Sequence, residues 1–411
     1  MHRSWRLLGP LLAALAAGCG GLGDKKPAAP RNDAGRSDIV PIQPDTQSVL
    51  PDTSPVSPDT AAMPDAGGLY AQGAEAGGET GPALTSVDSG VGPEAPAKPA
   101  SADGGVGPEA PAAPPATIIV LPDTQYYASS YPDVFTSQTS WIAGQTAALN
   151  IGAVLHVGDI VDTSNSPDQW KVASSAMHAL DGIVPYVIVP GNHDADAKRQ
   201  GLIDSSFSPA TLPWITGTMT TGQIENNYTL VNVGAKQWLV IGLEFGPRDA
   251  VVAWADHILK TYADRPAILL THAYLYRDGT RYDLALAGTD ESQSSYQYFY
   301  PLLYGFTPAE GINDGEMLWQ KLVLPNPNVR MVFCGHDSAA ARLTSTRPDG
   351  SRVHQMLSDY QWYGGPSFGY GYLRVVQLNY GKKTIAVQTY SPYLDQYLTD
   401  DANQFVLDWN L

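Results

Sequence analysis

Ala153-Val-Leu-His-Val-Gly-Asp-Ile-Val-Asp162 is the stretch that decides how this chain folds. Ala153 to Val157 is a short, largely apolar run, the mark of a buried strand. Gly158-Asp159 then delivers a carboxylate at the strand's end, with Asp162 three residues further on. The same arrangement recurs along the sequence. Ile118-Ile-Val-Leu121 precedes Asp123-Thr-Gln125, and Tyr186-Val-Ile-Val189 precedes Gly191-Asn192-His193-Asp194. Ala267-Ile-Leu-Leu270 precedes Thr271-His272, and Val329-Arg-Met-Val-Phe333 precedes Gly335-His336. An open α/β sheet collects its ligands at the carboxyl ends of its strands. Strand after strand brings one metal-type ligand to the same edge, which reads as an active site with two metals.

Between and beyond these runs, Tyr131 to Asn150 and Pro167 to Asp181 read as helices, the second capped by Ser166 with Pro167 in its first turn. Arg248 to Asp264 and Asn313 to Val323 are also expected to be helical. Asn227 to Val233, Gln237 to Leu243, Gly371 to Leu378 and Lys383 to Thr389 read as strands, the last two joined by a turn at Asn379-Tyr-Gly-Lys382. A front half of parallel strands and a strand-rich back half fit two packed sheets flanked by helices.

Two segments precede this domain. His2, Arg3 and Arg6 are followed by the apolar run Leu7 to Ala17 and by Ala16-Ala-Gly-Cys19, so residues 1–19 read as an export signal too short to span a membrane. The small residues ending in cysteine resemble a bacterial lipoprotein signal, which implies a lipid anchor on Cys19 and a place in the cell envelope. An ordinary signal peptide cut near Ala17 is the rival reading. Residues 20–116 are rich in Pro, Ala, Gly, Ser and Asp, with Pro-Asp-Thr at Pro44, Pro51 and Pro58. Such low-complexity sequence cannot offset the entropy of ordering and is expected to act as a tether with a reach of about 50–60 Å. Residues 117–411 remain for one globular domain.

The chain has 24 basic and 41 acidic residues; with the leader and tether set aside, the domain keeps 17 and 28, a net charge of −11. That balance argues against sequence-independent nucleic-acid binding, which leans on Lys and Arg. A small phosphorylated substrate neutralised locally by metal ions remains compatible with it. Cys19 and Cys334 are the two cysteines, so no intrachain disulfide is expected in the mature protein, and Cys334 reads as a packing residue.

Phosphoester hydrolysis at neutral pH needs a strong nucleophile, neutralised phosphoryl oxygens and a proton for the leaving group. Two divalent ions supply the first two. Asp159 is the best candidate to bridge them. Asp123, the Asn192 amide oxygen and the imidazoles of His272 and His336 complete a donor set suited to Mn, Fe or Zn. His193 is placed as general acid, with Asp162 as the carboxylate that orients it and keeps it protonated.

Taken together, these segments resemble the calcineurin-like metallophosphoesterase superfamily, whose pattern is an aspartate motif, Gly-Asp-x-x-Asp, Gly-Asn-His-Asp/Glu, a lone histidine and Gly-His-x-His. The resemblance implies an α+β fold, a four-layer α/β/β/α sandwich. It also implies that Asp123 and Asp159 hold metal 1 while Asp159, Asn192, His272 and His336 hold metal 2. Two positions depart from the pattern: Gln125 and Ser338 stand where the superfamily has histidines, both of them at metal 1. Gln125 is retained as a weaker oxygen ligand, with plain hydrogen bonding as its alternative role. Asp337 is an alternative that could swing in toward metal 1, and metal 1 is expected to be weak or exchangeable. Leu121-Pro-Asp-Thr-Gln-Tyr-Tyr127, Asn313-Asp-Gly-Glu316 and His354-Gln-Met-Leu357 resemble a secreted bacterial branch that carries this glutamine.

The tyrosine-rich stretch from Tyr274 to Phe306 follows His272 directly. It reads either as a substrate lid, with Tyr274 stacking the substrate and Arg277 and Arg281 gripping phosphate, or as ordinary packing between strands. The function expected is metal-dependent hydrolysis of a phosphomonoester or phosphodiester outside the cytoplasm. The alternative is a non-catalytic envelope binding protein that kept one metal site.

Overall fold

The computed structural model describes residues 114–286, 297, 300–306, 308–361, 363 and 369–409. The export signal, its Cys19 and nearly all of the tether lie outside the described residues.

Within them, two seven-stranded sheets lie face to face. The first is ordered β13-β12-β11-β1-β2-β3, with β14 also pairing β12. It comprises β1 (Ala116–Leu121), β2 (Ile151–His156), β3 (Tyr186–Ile188), β11 (Leu373–Asn379), β12 (Thr384–Ser391), β13 (Gln396–Leu398) and β14 (Phe405–Asp408). The second is ordered β4-β5-β6-β7-β8-β10-β9. Its strands are β4 (Ile215–Thr218), β5 (Asn227–Val233), β6 (Lys236–Leu243), β7 (Ala267–Thr271), β8 (Val329–Cys334), β9 (Ala340–Thr346) and β10 (Arg352–Ser358). β1, β2 and β3 run parallel, and so do β6, β7, β8 and β10.

Alternation along each strand builds the layers. Ile118, Val120, Ala153, Leu155 and Val187 point between the sheets, where they meet Val231, Val240, Ile268, Leu270 and Phe333 from the other side. Ile119, Leu121, Val154 and Ile188 point the opposite way. They pack on α1 (Gln125–Ser130), α2 (Pro132–Gln145) and α3 (Pro167–His178) through Tyr127, Phe135, Ile142, Trp170 and Met177. A single-turn α4 (Ile203–Ser206) seals that layer with Ile203. On the far face, Leu239, Ile241 and Leu269 bury α5 (Asp249–Thr261) and α6 (Gly315–Leu318) through Val251, Leu259 and Leu318. The result is an α/β/β/α sandwich.

The expected helices are present but shorter. α2 stops at Gln145 rather than Asn150, because the chain turns there and Asn150 adopts φ +50° to enter β2. The helix expected over 313–323 begins at Gly315, capped by the Asp314 carboxylate on the Met317 N–H, and continues as a π-helical turn over Trp319–Val323. Ser166 caps α3, accepting from the Gln169 N–H.

Candidate metal centre

The two sheets place their parallel strands so that the carboxyl ends of β1, β2, β3, β7 and β8 open on one edge. Asp123, Asp159, Asn192, His272 and His336 all lie just past those ends.

Asp159 is at the middle. Its Oδ1 accepts from the His193 N–H at 2.9 Å, and its Oδ2 lies 3.2 Å from His272 Nε2. Its backbone sits at φ +49° and that of His336 at φ +81°, conformations that L-residues seldom adopt. The close approach of the loops is possible because Gly191 has no side chain; a Cβ there would stand 2.0 Å from Asp159 Oδ1.

His272 is fully buried, and its Nδ1 lies 2.9 Å from the Val157 carbonyl. A carbonyl only accepts, so Nδ1 carries the proton and Nε2 presents a lone pair. That lone pair faces Asp159 Oδ2 and Asn192 Oδ1, each at 3.2 Å, and Asp123 Oδ2 at 3.9 Å. Three acceptors aimed at one point are stable only with a cation or a proton between them. His336 stacks beside this point, its ring 4.9 Å from that of His272, and its N–H donates to Asp123 Oδ2 at 3.0 Å. Asp159, His272 and His336 each present a ligand atom within 4.8 Å of the others.

Asp123 Oδ1 and Gln125 Oε1 are buried and have no hydrogen-bond partner. Orphaned oxygens of this kind cost about 1–3 kcal/mol each, and a bound cation would satisfy them. The donor set therefore fits divalent metal on both sides of Asp159: carboxylate and amide oxygens toward Asp123, imidazole and amide toward His272.

Electrostatics follow the same pattern. Burial pushes Asp123 well above the usual carboxylate range, with Asp359 and Asp159 adding to the rise. Burial opposes ionisation of Asp159 as well, but His272 and His193 overcome it and hold that carboxyl well below its ordinary value. Burial lowers the affinity of His272 for a proton, and Asp159 more than restores it.

His193 stands over the site, partly exposed. Its Nδ1 is 2.9 Å from the Asp162 carbonyl and 3.5 Å from the Asp162 carboxylate. The main-chain oxygen is thus the closer partner. It fixes the tautomer with a proton on Nδ1, and the side chain of Asp162 contributes charge from further off. Burial works against a charged imidazole, but Asp159 and then Asp162 outweigh it, so the proton is held more tightly than in free histidine.

Three further buried residues surround this centre. Asp194 is fully buried and accepts from the N–H groups of Ile160, Val161 and Gly191 at 2.8–3.1 Å, pinning the β2 loop to the β3 loop. His156 accepts the Gly158 N–H at Nδ1, so its Nε2 donates to Thr124 Oγ1, which passes the bond on to the Ile160 carbonyl. Burial pushes this imidazole down to about 3, which keeps it neutral. Asp359 lies one residue beyond β10, on the same sheet edge as Asp123, Asp159 and His336.

The structure corrects the proposed substrate grips. Tyr274 is fully buried in the outer core, and its hydroxyl donates to Gln355 Oε1 at 3.0 Å, so it has no face to offer a substrate. Arg281 gives its Nε–H to Glu316 at 2.6 Å and its Nη1 to Gln355 and Ser345, while stacking over Trp319. Arg277 forks onto both oxygens of Asp337 at 3.0 and 2.5 Å. That bidentate pair commits Nε and Nη2 of a half-exposed Arg277 and fixes the buried Asp337 onto it, away from the place beside Asp123 expected for it. Of the expected lid, Tyr276, Tyr282 and Tyr300 pack into a small buried cluster with Phe245. Tyr296 and Tyr298 lie outside the described residues. Tyr282 and Tyr304 come near the site, their rings 5.9 and 5.6 Å from His336. Cys334 is a buried free thiol, pushed up to about 12 by burial, and it accepts the Leu275 N–H rather than serving as a ligand.

A cleft of about 530 Å³ opens beside Asn192, lined in part by Lys198, Arg199, Arg248, Glu225, Tyr304 and Phe306. Its arginines are engaged: Arg248 pairs with Glu244, and Arg199 donates to the Phe245 and Gly246 carbonyls while stacking on Phe306.

The chain is 35% identical over 293 residues to an uncharacterized protein, YvnB, of Bacillus subtilis (strain 168), an alignment that covers 68% of this chain and 20% of that protein. The chain thus spans about a fifth of that relative's length. Among solved structures it is similar to the purple acid phosphatase PPD1 from yellow lupin (Lupinus luteus) seeds, at 13% identity and a TM-score of 0.42, over 72% of this chain and 54% of that one. GAP50, the anchor in the inner membrane complex of Plasmodium, is similar at 14% identity and a TM-score of 0.39, over 72% of this chain and 89% of its own. The model of the calcineurin-like phosphoesterase family matches residues 116–339, more than half of the chain and the whole run of motifs from Asp123 to His336, and the chain belongs to that family of metal-dependent phosphoester hydrolases.

Proposed function

We propose that this protein hydrolyses a phosphomonoester or phosphodiester outside the cytoplasm, on a domain beginning near residue 116 and tethered through a lipid on Cys19. The observation that carries the catalytic part is the convergence of His272 Nε2, Asp159 Oδ2 and Asn192 Oδ1, with His193 above them on its own fixed tautomer. Asp123 and Gln125 would hold one divalent ion, Asn192, His272 and His336 the other, and Asp159 both. Bound there, the ions would supply Lewis acidity to the phosphoryl oxygens and an acidified water as nucleophile.

The chain's own groups do the rest. The carboxylates repel a phosphate until cations are present, so binding of the two is coupled. His193 keeps Nδ1–H on the Asp162 carbonyl and so directs Nε2 outward. As imidazolium it holds at Nε2 the proton that a departing alkoxide needs, a role worth about 10²–10⁴ in rate. The cleft beside Asn192 has room for the organic part of the ester. Its arginines are paired within the domain, and Lys198 is the cationic side chain at its wall that remains available to a polar or anionic group on the ester. The acidic domain surface supports a small phosphoester over nucleic acid.

The test is turnover of p-nitrophenyl phosphate and bis-p-nitrophenyl phosphate by metal-stripped protein reloaded with Mn, Zn or Fe(II). Metal-restored hydrolysis that drops at least about 100-fold in His193→Ala is expected, and the preferred ester sets the substrate class. Undiminished turnover in that variant would remove His193 as the acid. For the anchor, Cys19→Ala should move the protein from the membrane to the soluble fraction, and unchanged fractionation would refute lipidation there.

A further inference from the structure

The family pattern places two histidines around the metal beside Asp123, and here those positions are Gln125 and Ser338. The structure does not leave the space to them alone. β10 runs parallel to β8, so its carboxyl end opens on the ligand edge, and the residue directly past it is Asp359. Asp359 is 1% exposed. Ser338 Oγ donates to its Oδ2 at 3.1 Å, and the Gln361 N–H donates to its Oδ1 at 3.0 Å. Ser338 is two residues from His336, whose own N–H holds Asp123 Oδ2. The serine at the missing histidine's position therefore anchors a carboxylate in that part of the site.

A buried carboxylate at the edge that already holds Asp123 and Asp159 needs a reason to be there, since desolvating a charge costs several kcal/mol unless a cation joins it. Asp123 Oδ1 and Gln125 Oε1, both buried and both without a partner, point to that cation.

We propose that Asp359 completes the first metal site in place of histidine, giving an all-oxygen set of Asp123, Gln125, Asp159 and Asp359. The second site keeps two imidazoles. The pair is therefore chemically unequal: the first site selects a hard, oxygen-loving cation such as Mg or Mn, and the second a nitrogen-accepting one such as Zn or Fe. The inference rests on the metal-centre reading of the proposed function but not on turnover.

The experiment is calorimetric titration of the metal-free full-length chain with Mn(II), and separately with Zn(II), with bound metal counted by elemental analysis. The wild type should take two Mn(II) per chain, whereas Zn(II) should fill one site tightly and the other at least about tenfold more weakly. Asp359→Asn should weaken one Mn(II) site at least about tenfold and leave the other unchanged, the scale seen when groups supporting a metal are lost. Ser338→His should strengthen the weaker Zn(II) site by a similar factor; this variant keeps the test open if Asp359→Asn does not fold. Two unaltered Mn(II) sites in Asp359→Asn, no gain for Zn(II) in Ser338→His, or fewer than two Mn(II) in the wild type would each overturn the assignment. Two sites that behave as described in a chain that hydrolyses no phosphoester would refute the enzymatic reading and leave this one standing.

Discussion

Asp194→Ala tests how the site is held open rather than what it binds. The Asp194 carboxylate receives three backbone N–H groups, from Ile160, Val161 and Gly191. Leaving a buried donor without its acceptor costs about 1–3 kcal/mol. Water entering the small cavity recovers part of this, so three donors lose about 3–5 kcal/mol together, a large share of the 5–15 kcal/mol typical of a domain. An opposing effect makes the prediction sharper. Burial and then Asp159 push Asp194 up to about 6, so the folded chain keeps a proton that the unfolded chain releases near pH 3.8. Stability from that proton is complete below the unfolded value and is lost as pH rises through about 6. The alanine variant has no such group. Its deficit against the wild type should therefore be larger at pH 5 than at pH 7.5, by on the order of 1 kcal/mol. Urea unfolding of the metal-free chain, followed by tryptophan fluorescence at both pH values, measures it. A deficit under 1 kcal/mol at both, or one that grows with pH, would refute the account of Asp194 as a buried, charge-strained clamp.

The same reasoning extends to the whole metal-free centre. Asp123 and Asp194 are raised, Asp359 stands at about 7, and His272 and His193 hold their protons more tightly than free histidine. All of these lose stabilising protons as pH rises; His156, pushed down to about 3, works the other way below pH 6.5 but is one group against five, so the melting temperature of stripped protein should fall from pH 5 to pH 8, and saturating Mn(II) should remove the fall, since cations replace the protons. A melting temperature that climbs over that range without metal would contradict the buried-carboxylate picture. Arg281→Ala should cost about 1–2 kcal/mol through loss of the Glu316 and Gln355 bonds and leave KM within twofold. A tenfold rise in KM at unchanged stability would restore Arg281 as a substrate grip.

How much of this was legible in the sequence depended on where each residue's partners come from. The ligand strands could be read because a strand covered on both faces needs apolar residues throughout, and β1, β7 and β8 supply them locally. β5 shows the complementary case: Asn227-Tyr-Thr-Leu-Val-Asn-Val233 alternates, and its bounds came out as read. β10 is buried too, yet His354 and Gln355 interrupt its apolar run. Those side chains are satisfied from afar: His354 by Thr344 and the Asp408 carbonyl, Gln355 by Tyr274, Arg281 and Ser345. A polar residue whose partners arrive through tertiary contact looks like a surface residue in one dimension, so the strand and the Asp359 at its end stayed hidden.

Arg277, Arg281 and Tyr274 misled for the converse reason. Their nearness in sequence to His272 suggested nearness to the substrate, but what a side chain does depends on which unpaired group it meets first. Arg277 meets Asp337, Arg281 meets Glu316, and Tyr274 meets Gln355, so each is paired within the domain first. At the sheet edge itself the unspent acceptors are others: Asp123 Oδ1, Gln125 Oε1 and the Nε2 lone pair of His272. Unspent donors and acceptors in a dry place are what a folded chain avoids unless something is meant to occupy them. Here all three lie just past the ends of β1 and β7, beside Asp159, and that coincidence of unspent acceptors with a metal-type donor set marks the site more directly than the arginines or the tyrosines near it.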